Sequence, residues 1–210
     1  MYKIILKSNF FFTLLGLISI FYLSFNEGDG TILFLYFLFL IFGYIVYRGN
    51  ARVFYFISFG FSLFLLPFLL NSYLSLSSKP FIPGGDAERY YDVVLEIING
   101  NEKNYYGRYK LFLFTVSSYY KLILYLGGTN SYLCFFLLNL FMGANIAPLI
   151  SIIIAKIDDE VLSIKTGVLT VFFPGLIIVA TNSWRESFVY TPFLFSIYCC
   201  LNIKNLTTLL

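Results

Sequence analysis

The chain has 210 residues, 59% hydrophobic and 12% charged, with a net charge of +3. A soluble domain carries about twice that share of charge, so a chain folded around one aqueous core is excluded and the bilayer is the expected solvent. The small, dispersed positive balance gives no reason to propose nucleic acid as a partner. The absence of histidine removes the commonest general base and metal ligand.

The predicted fold class is all-α: a polytopic membrane bundle of about six spanning helices in one integral membrane domain. Its first apolar run covers residues 10–25, after Lys3 and Lys7. A second apolar run follows at once and no small-residue cleavage site intervenes, so this is an anchor rather than a signal peptide. The short loop 26–30 carries Glu27 and Asp29. The second span covers 31–47 and is followed by Arg48 and Arg52; the third covers 53–74 and contains Pro67. Basic residues are retained in the cytoplasm. Lys3, Lys7, Arg48 and Arg52 therefore set the N-terminus inside and open an outer loop over 75–110.

That loop begins with KPFIPGGDAERYYD, residues 79–92, where prolines, glycines and carboxylates gather in an otherwise apolar chain. Pro80 and Pro83 stiffen the entry, and Gly84 and Gly85 permit angles other residues avoid. Asp86 is positioned as an N-cap with Glu88 in the first turn. A helix is predicted over 87–98, with Ala87, Tyr91, Val94, Leu95 and Ile98 on its apolar face and Asn99-Gly100 ending it. Asp86 has two readings: a structural cap, or a carboxylate at the membrane's outer surface whose basicity is raised by low dielectric.

Residues 111–126 form a shorter run. Lys110, Phe114, Ser117, Ser118 and Lys121 recur at helical spacing, and this largely polar stripe suits an interfacial helix. If that run does not cross, seven of the 14 basic residues lie inside, against six if it does. The remaining spans are then 132–154, 166–182 and 187–201, which puts Trp184, Arg185 and Glu186 on the same outer face as the loop. Trp184 is expected to be an interfacial anchor. Asn139 and Asn145 are expected to hydrogen-bond between helices, and Pro67, Pro174 and Pro192 to kink them and open room for a lipid tail. Cys134, Cys199 and Cys200 lack metal or disulfide spacing and read as small apolar residues. No ligand cluster calls for a divalent ion, so no cofactor is assigned.

GGDAERYYDVVLEIINGN resembles the first periplasmic loop of GT-C-type membrane glycosyltransferases and related polysaccharide repeat-unit polymerases, in which Gly-Asp-Ala-x-x-Tyr precedes a helix and a second Gly. YGRYKLFLFTVSSYYKLILYLGGTN resembles the Tyr-rich segment of the same family, LLNLFMGA its next helix, and FFPGLIIVATNSWRESFVY its segment with a basic-acidic pair. The resemblance covers roughly residues 83–203. It implies transfer of a sugar or oligosaccharide repeat from a polyprenyl phosphate or diphosphate at the outer face of the bacterial inner membrane, in O-antigen or capsule synthesis. Some members use a divalent ion.

The resemblance also implies roles. Asp86 is the base or positions the acceptor. Arg185 holds the lipid phosphate, guanidinium being suited to bidentate contact with its oxygens. Arg89 is the second candidate, its other reading being a salt bridge to Asp86 or Glu88. Glu186 orients Arg185 or is a second carboxylate, and Glu88 and Tyr90 support. The implied partners are membrane lipids, the polyprenyl-linked sugar and other polysaccharide-assembly proteins. Two departures stand out. The family's second carboxylate has only Asp92, Glu96 and Glu102 as candidates, and family members are longer, so the chain is expected to be an N-terminal part of such a protein. The alternatives are a flippase or permease component, or a non-catalytic subunit or remnant. Transporters bury charge along a path within their spans; here the charge lies in the loops, which favours the enzyme.

Overall fold

The structure, a computed structural model, describes residues 2–74, 86–101, 109–181 and 185–206. Among these, every regular element is a helix: α1 (Tyr2–Glu27), α2 (Gly30–Val46), α3 (Asn50–Leu74), α4 (Asp86–Ile98), α5 (Lys110–Tyr125), α6 (Tyr132–Ala144), α7 (Ile146–Ile157), α8 (Glu160–Val171), α9 (Pro174–Thr181) and α10 (Glu186–Leu206). Among the described residues, two stretches are long and apolar enough to cross a membrane, Ile4–Glu27 and Tyr132–Ile157. The apolar parts of α2 and α3, Gly30–Val46 and Asn50–Leu65, are shorter.

The boundaries follow from local chemistry. The chain reverses after α1 at Gly28, whose φ of 64° favours glycine. Asp29 then caps α2, its carboxylate accepting from the Thr31 N–H at 2.9 Å. Gly49, φ 67°, makes the matching turn into α3. The expected run 132–154 is two helices, α6 and α7. At the break, Asn145 turns its amide back onto the Phe141 carbonyl at 2.5 Å, and Pro148 stands in the first turn of α7, where a missing N–H costs nothing. The run 166–182 is likewise split, because Pro174 cannot continue α8 and instead begins α9.

The core centres on α3. Tyr55 stacks on Phe59, and Phe59 on Tyr36, with ring centroids 5.8 and 5.5 Å apart. The Tyr55 hydroxyl is satisfied by the Phe39 carbonyl at 2.6 Å. Small residues allow α1 and α3 to approach closely: a side chain at Gly60 would begin 2.3 Å from the Phe12 carbonyl oxygen. Outward faces are apolar as well. Phe10, Phe25, Ile45 and Leu169 are each more than 60% exposed, a surface that monomers in water rarely present.

Two ends of the bundle are defined by tertiary contacts. At one end, Thr129 donates to the Asp29 carboxylate, and the Tyr91 hydroxyl donates to the Asn130 carbonyl at 2.9 Å. At the other, Asn50 donates to Glu160 at 2.8 Å. The buried stripe of α4 is Tyr90, Val94 and Ile97, turned about one residue from the expected apolar face, with Tyr90 packed on Tyr109 and Phe112. On α5, Phe114, Ser118 and Lys121 are exposed as the polar stripe requires, whereas Ser117 is buried with its hydroxyl on the Phe114 carbonyl.

Candidate functional site

Arg185 stands in the turn before α10, and its side chain is about one-third exposed. Its surroundings come from three segments far apart in sequence. The Cζ atom lies 4.3 Å from the ring centroid of Tyr109, just before α5. Nη1 donates to the Tyr90 hydroxyl of α4 at 3.3 Å. Nε stands 3.5 Å from a Glu186 carboxylate oxygen. Contact with the Tyr109 side chain, with Tyr90 and Glu186 contributing further, raises the Arg185 pKa above its ordinary value despite some desolvation. The guanidinium is a fixed cation.

Aromatic packing holds these partners in place. Tyr90 meets Tyr109 edge-on at 5.6 Å and Phe112 at 5.1 Å. Phe112 meets Phe188 of α10 at 5.0 Å. One cluster therefore fixes α4, the start of α5 and the start of α10 together. On the other side of α4, burial raises the pKa of Tyr91, with Cys134 and Asp92 adding to it. That phenol stays protonated and can donate to the Asn130 carbonyl.

Of the residues singled out in the sequence, Tyr90, Arg185 and Glu186 are brought together. Asp86 is the first residue of α4, and Tyr90 follows it by one turn. The side chains of Asp86 and Glu88 lie outside the described residues, as do Trp184 and Glu102. Arg89 and Asp92 are exposed on α4. Among the described residues no three of His, Cys, Asp and Glu are grouped to hold a metal ion.

Asn139 and Asn145 bond between helices, as expected. The Asn139 amide donates to the carbonyls of Val179 and Ala180 at 3.0 and 2.7 Å, tying α6 to the end of α9. Asn145 accepts from the Tyr47 hydroxyl at 2.6 Å. Among the described residues, the buried Asn139 Oδ1 and Ser187 Oγ make no hydrogen bond. Beside α9 runs an apolar cleft of about 520 Å³, bounded by Ile150 of α7, Leu169 of α8, Leu176 and Val179 of α9, and Tyr190 of α10. Tyr190 follows Glu186 by one turn of α10.

Tyr109 and Phe112 carry much of this geometry, and the sequence reading gave neither a role. They lie in a Tyr-rich segment whose composition alone does not say which ring meets Arg185. Asp29, in the sequence a charge of the short loop 26–30, caps α2; Asp before Gly-Thr at a helix start is an N-cap signal. The chain matches no family model, no curated protein and no solved structure.

Proposed function

We propose that the chain is a multi-pass membrane protein that transfers a sugar or oligosaccharide repeat from a polyprenyl phosphate-type carrier at the outer face of a bacterial inner membrane. In this reading α1, α2, α3, α6–α7, α8–α9 and α10 are the six spans, and α5 lies along the interface. Three contacts support the placement of α5. Tyr109, at its start, meets Arg185, and the connection after its end is tied to Asp29 and Tyr91. Adjacent residues of α4, Tyr90 and Tyr91, touch both sites.

The observation that carries the function is Arg185 itself. It is a permanent, partly exposed cation, stacked on Tyr109 and oriented by Tyr90 and Glu186, and an apolar cleft is lined by Tyr190, one turn of α10 after Glu186. Such an arrangement suits a lipid phosphate with its chain below. Asp86 opens the helix that supplies Tyr90, about 6 Å away along the axis. In the proposed step Asp86 takes the proton of an acceptor hydroxyl. The acceptor oxygen bonds to the anomeric carbon, and the bond from that carbon to the phosphate oxygen breaks. Arg185 stabilises the charge left on the departing lipid phosphate. Substituting Asp86→Asn and Arg185→Ala in the full-length protein is expected to reduce glycan product by about 100-fold or more with membrane insertion intact. Unchanged product in both variants overturns the reading.

A further inference from the structure

Two side chains where α6, α9 and α10 meet are wholly buried, and each keeps one polar atom that no protein group satisfies. Asn139 and Ser187 are both 0% exposed. Among the described residues, Asn139 Oδ1 and Ser187 Oγ have no hydrogen-bond partner. The surroundings of the Asn139 amide fix which way it points. Nδ2 faces the carbonyls of Val179 and Ala180, at 3.0 and 2.7 Å, and only the nitrogen can donate to both. Oδ1 is therefore the acceptor left over.

The same small residues lie beside both atoms. Asn139 bonds to the Ala180 carbonyl. Gly143, one turn further along α6, faces Ala180 and Ser187 together: a Cβ built on it would lie 2.6 Å from Ala180 Cβ and 3.6 Å from Ser187 Oγ. Other polar groups at this junction are engaged. The Val179 and Ala180 carbonyls take the Asn139 amide, and the Thr191 hydroxyl, one turn after Ser187, donates to the Met142 carbonyl. Leaving a buried oxygen and a buried hydroxyl without partners is costly, most of all in a bundle surrounded by lipid. Water suits this pair, because it can donate to the carbonyl oxygen and exchange a bond with the hydroxyl. An ion does not suit it. Both atoms are neutral, and the neighbouring Glu186 carboxylate is turned to Arg185.

We propose that ordered water is buried between α6 and the first turn of α10, held by Asn139 Oδ1 and Ser187 Oγ. It pins Ser187, two residues after Arg185, and so steadies the turn that carries the guanidinium. The inference goes beyond the sugar-transfer reading and does not depend on it.

The sign of one substitution tests it. At a dry site, Ser187→Ala would remove an unsatisfied group and raise Tm. At a hydrated site it removes one of the water's partners, and Tm in detergent is expected to fall by about 2–4 °C. In an Asn139→Leu background the water has already lost its other partner, so the same substitution is expected to raise Tm. A direct reading comes from cross-relaxation NMR of the full chain labelled with ¹⁵N-asparagine. Magnetisation is expected to pass from water to the Asn139 side-chain amide in the wild type and not in Ser187→Ala. A Tm unchanged or raised by Ser187→Ala in the wild type overturns the proposal, as does a shift of the same sign in both backgrounds. Absence of water transfer to the wild-type amide also overturns it. So does transfer that persists in Ser187→Ala, because the water would then rest on Asn139 alone.

Discussion

Arg185 lies over the face of Tyr109 with its Cζ 4.3 Å from the ring centroid, while Nη1 reaches Tyr90 on a different helix. A guanidinium is planar and can keep both contacts at once; an ammonium cannot. Arg185→Lys is therefore expected to weaken binding of a polyprenyl phosphate about tenfold. Tyr109→Ala, with the ring gone, is expected to weaken it about threefold, and Tyr109→Phe, which keeps the ring but loses the hydroxyl bonded to Arg185, to restore it in part. The pH dependence separates the variants further. The raised Arg185 pKa means that the cation is complete below that value and is lost only as pH climbs through it, above arginine's ordinary range. Phosphate affinity in the wild type should stay flat to about pH 10, whereas the lysine variant should lose affinity near lysine's own pKa of about 10. Titration calorimetry in detergent reads both effects, and a wild-type affinity that fell below pH 9 would contradict the assignment.

The closeness of α1 and α3 gives a prediction about stability. A Cβ on Gly60 would stand 2.3 Å from the Phe12 carbonyl oxygen, a backbone atom that cannot swing aside. Gly60→Ala is expected to force the helices apart at a cost of about 2–3 kcal/mol. Gly30 is the control, because nothing lies within 4 Å of its added Cβ. Thermal unfolding in detergent, followed by circular dichroism, should show a large drop for Gly60→Ala and almost none for Gly30→Ala.

How far these relationships are visible in the sequence depends on their range. The ends of α1, α2 and α4 are marked by Gly28, Gly49 and Gly100, which all take positive φ, and the apolar runs between such marks read directly as helices. The break at Asn145 is different. It depends on a side chain turning back to the Phe141 carbonyl while also accepting from Tyr47, 98 residues earlier, and hydropathy stays uniform across it. The site divides in the same way. Arg185 and Glu186 stand out as a charged pair in apolar surroundings, and Tyr90 belongs to a recognisable loop pattern. The partnership of Arg185 with Tyr109 joins segments whose spacing carries no period, so it becomes visible only once α4 and α5 are packed against the turn before α10. The α4 face likewise reflects tertiary packing: Tyr90 is buried against Tyr109 and Phe112 while Tyr91 stays half-buried.

Asn139 holds the end of α9 by donating to two carbonyls, while its own Oδ1 is unpaired. Asn139→Leu loses both bonds but also removes the unpaired oxygen, so a modest loss of about 1 kcal/mol is expected. Asn139→Asp replaces the donor with a second oxygen facing the same carbonyls in a fully buried position. It is expected to cost about 3 kcal/mol or more. Melting curves in detergent distinguish the two, and an aspartate variant as stable as the leucine variant would mean that α9 is held by other contacts.

The arrangement of α5 leads to a prediction about sidedness. Asn101 follows α4 and Asn130 follows α5; both are exposed, and the Asn130 carbonyl is bonded to Tyr91 of α4. Because that bond uses the backbone, the Asn130 side chain can be exchanged without losing it. Asp158 lies between α7 and α8, beside the Asn50–Glu160 contact at the opposite end. With Cys199 and Cys200 replaced by Ser and the buried Cys134 retained, Asn101→Cys and Asn130→Cys should both react with an impermeant maleimide in intact cells. Asp158→Cys should react only after permeabilisation. If α5 crossed the bilayer, positions 101 and 130 would label from opposite sides, and the Tyr91–Asn130 bond would have to span the hydrocarbon between them. Labelling of all three positions from one side would instead remove the membrane from between the two ends of the bundle, and with it the outer-face setting in which Arg185 could meet a lipid phosphate.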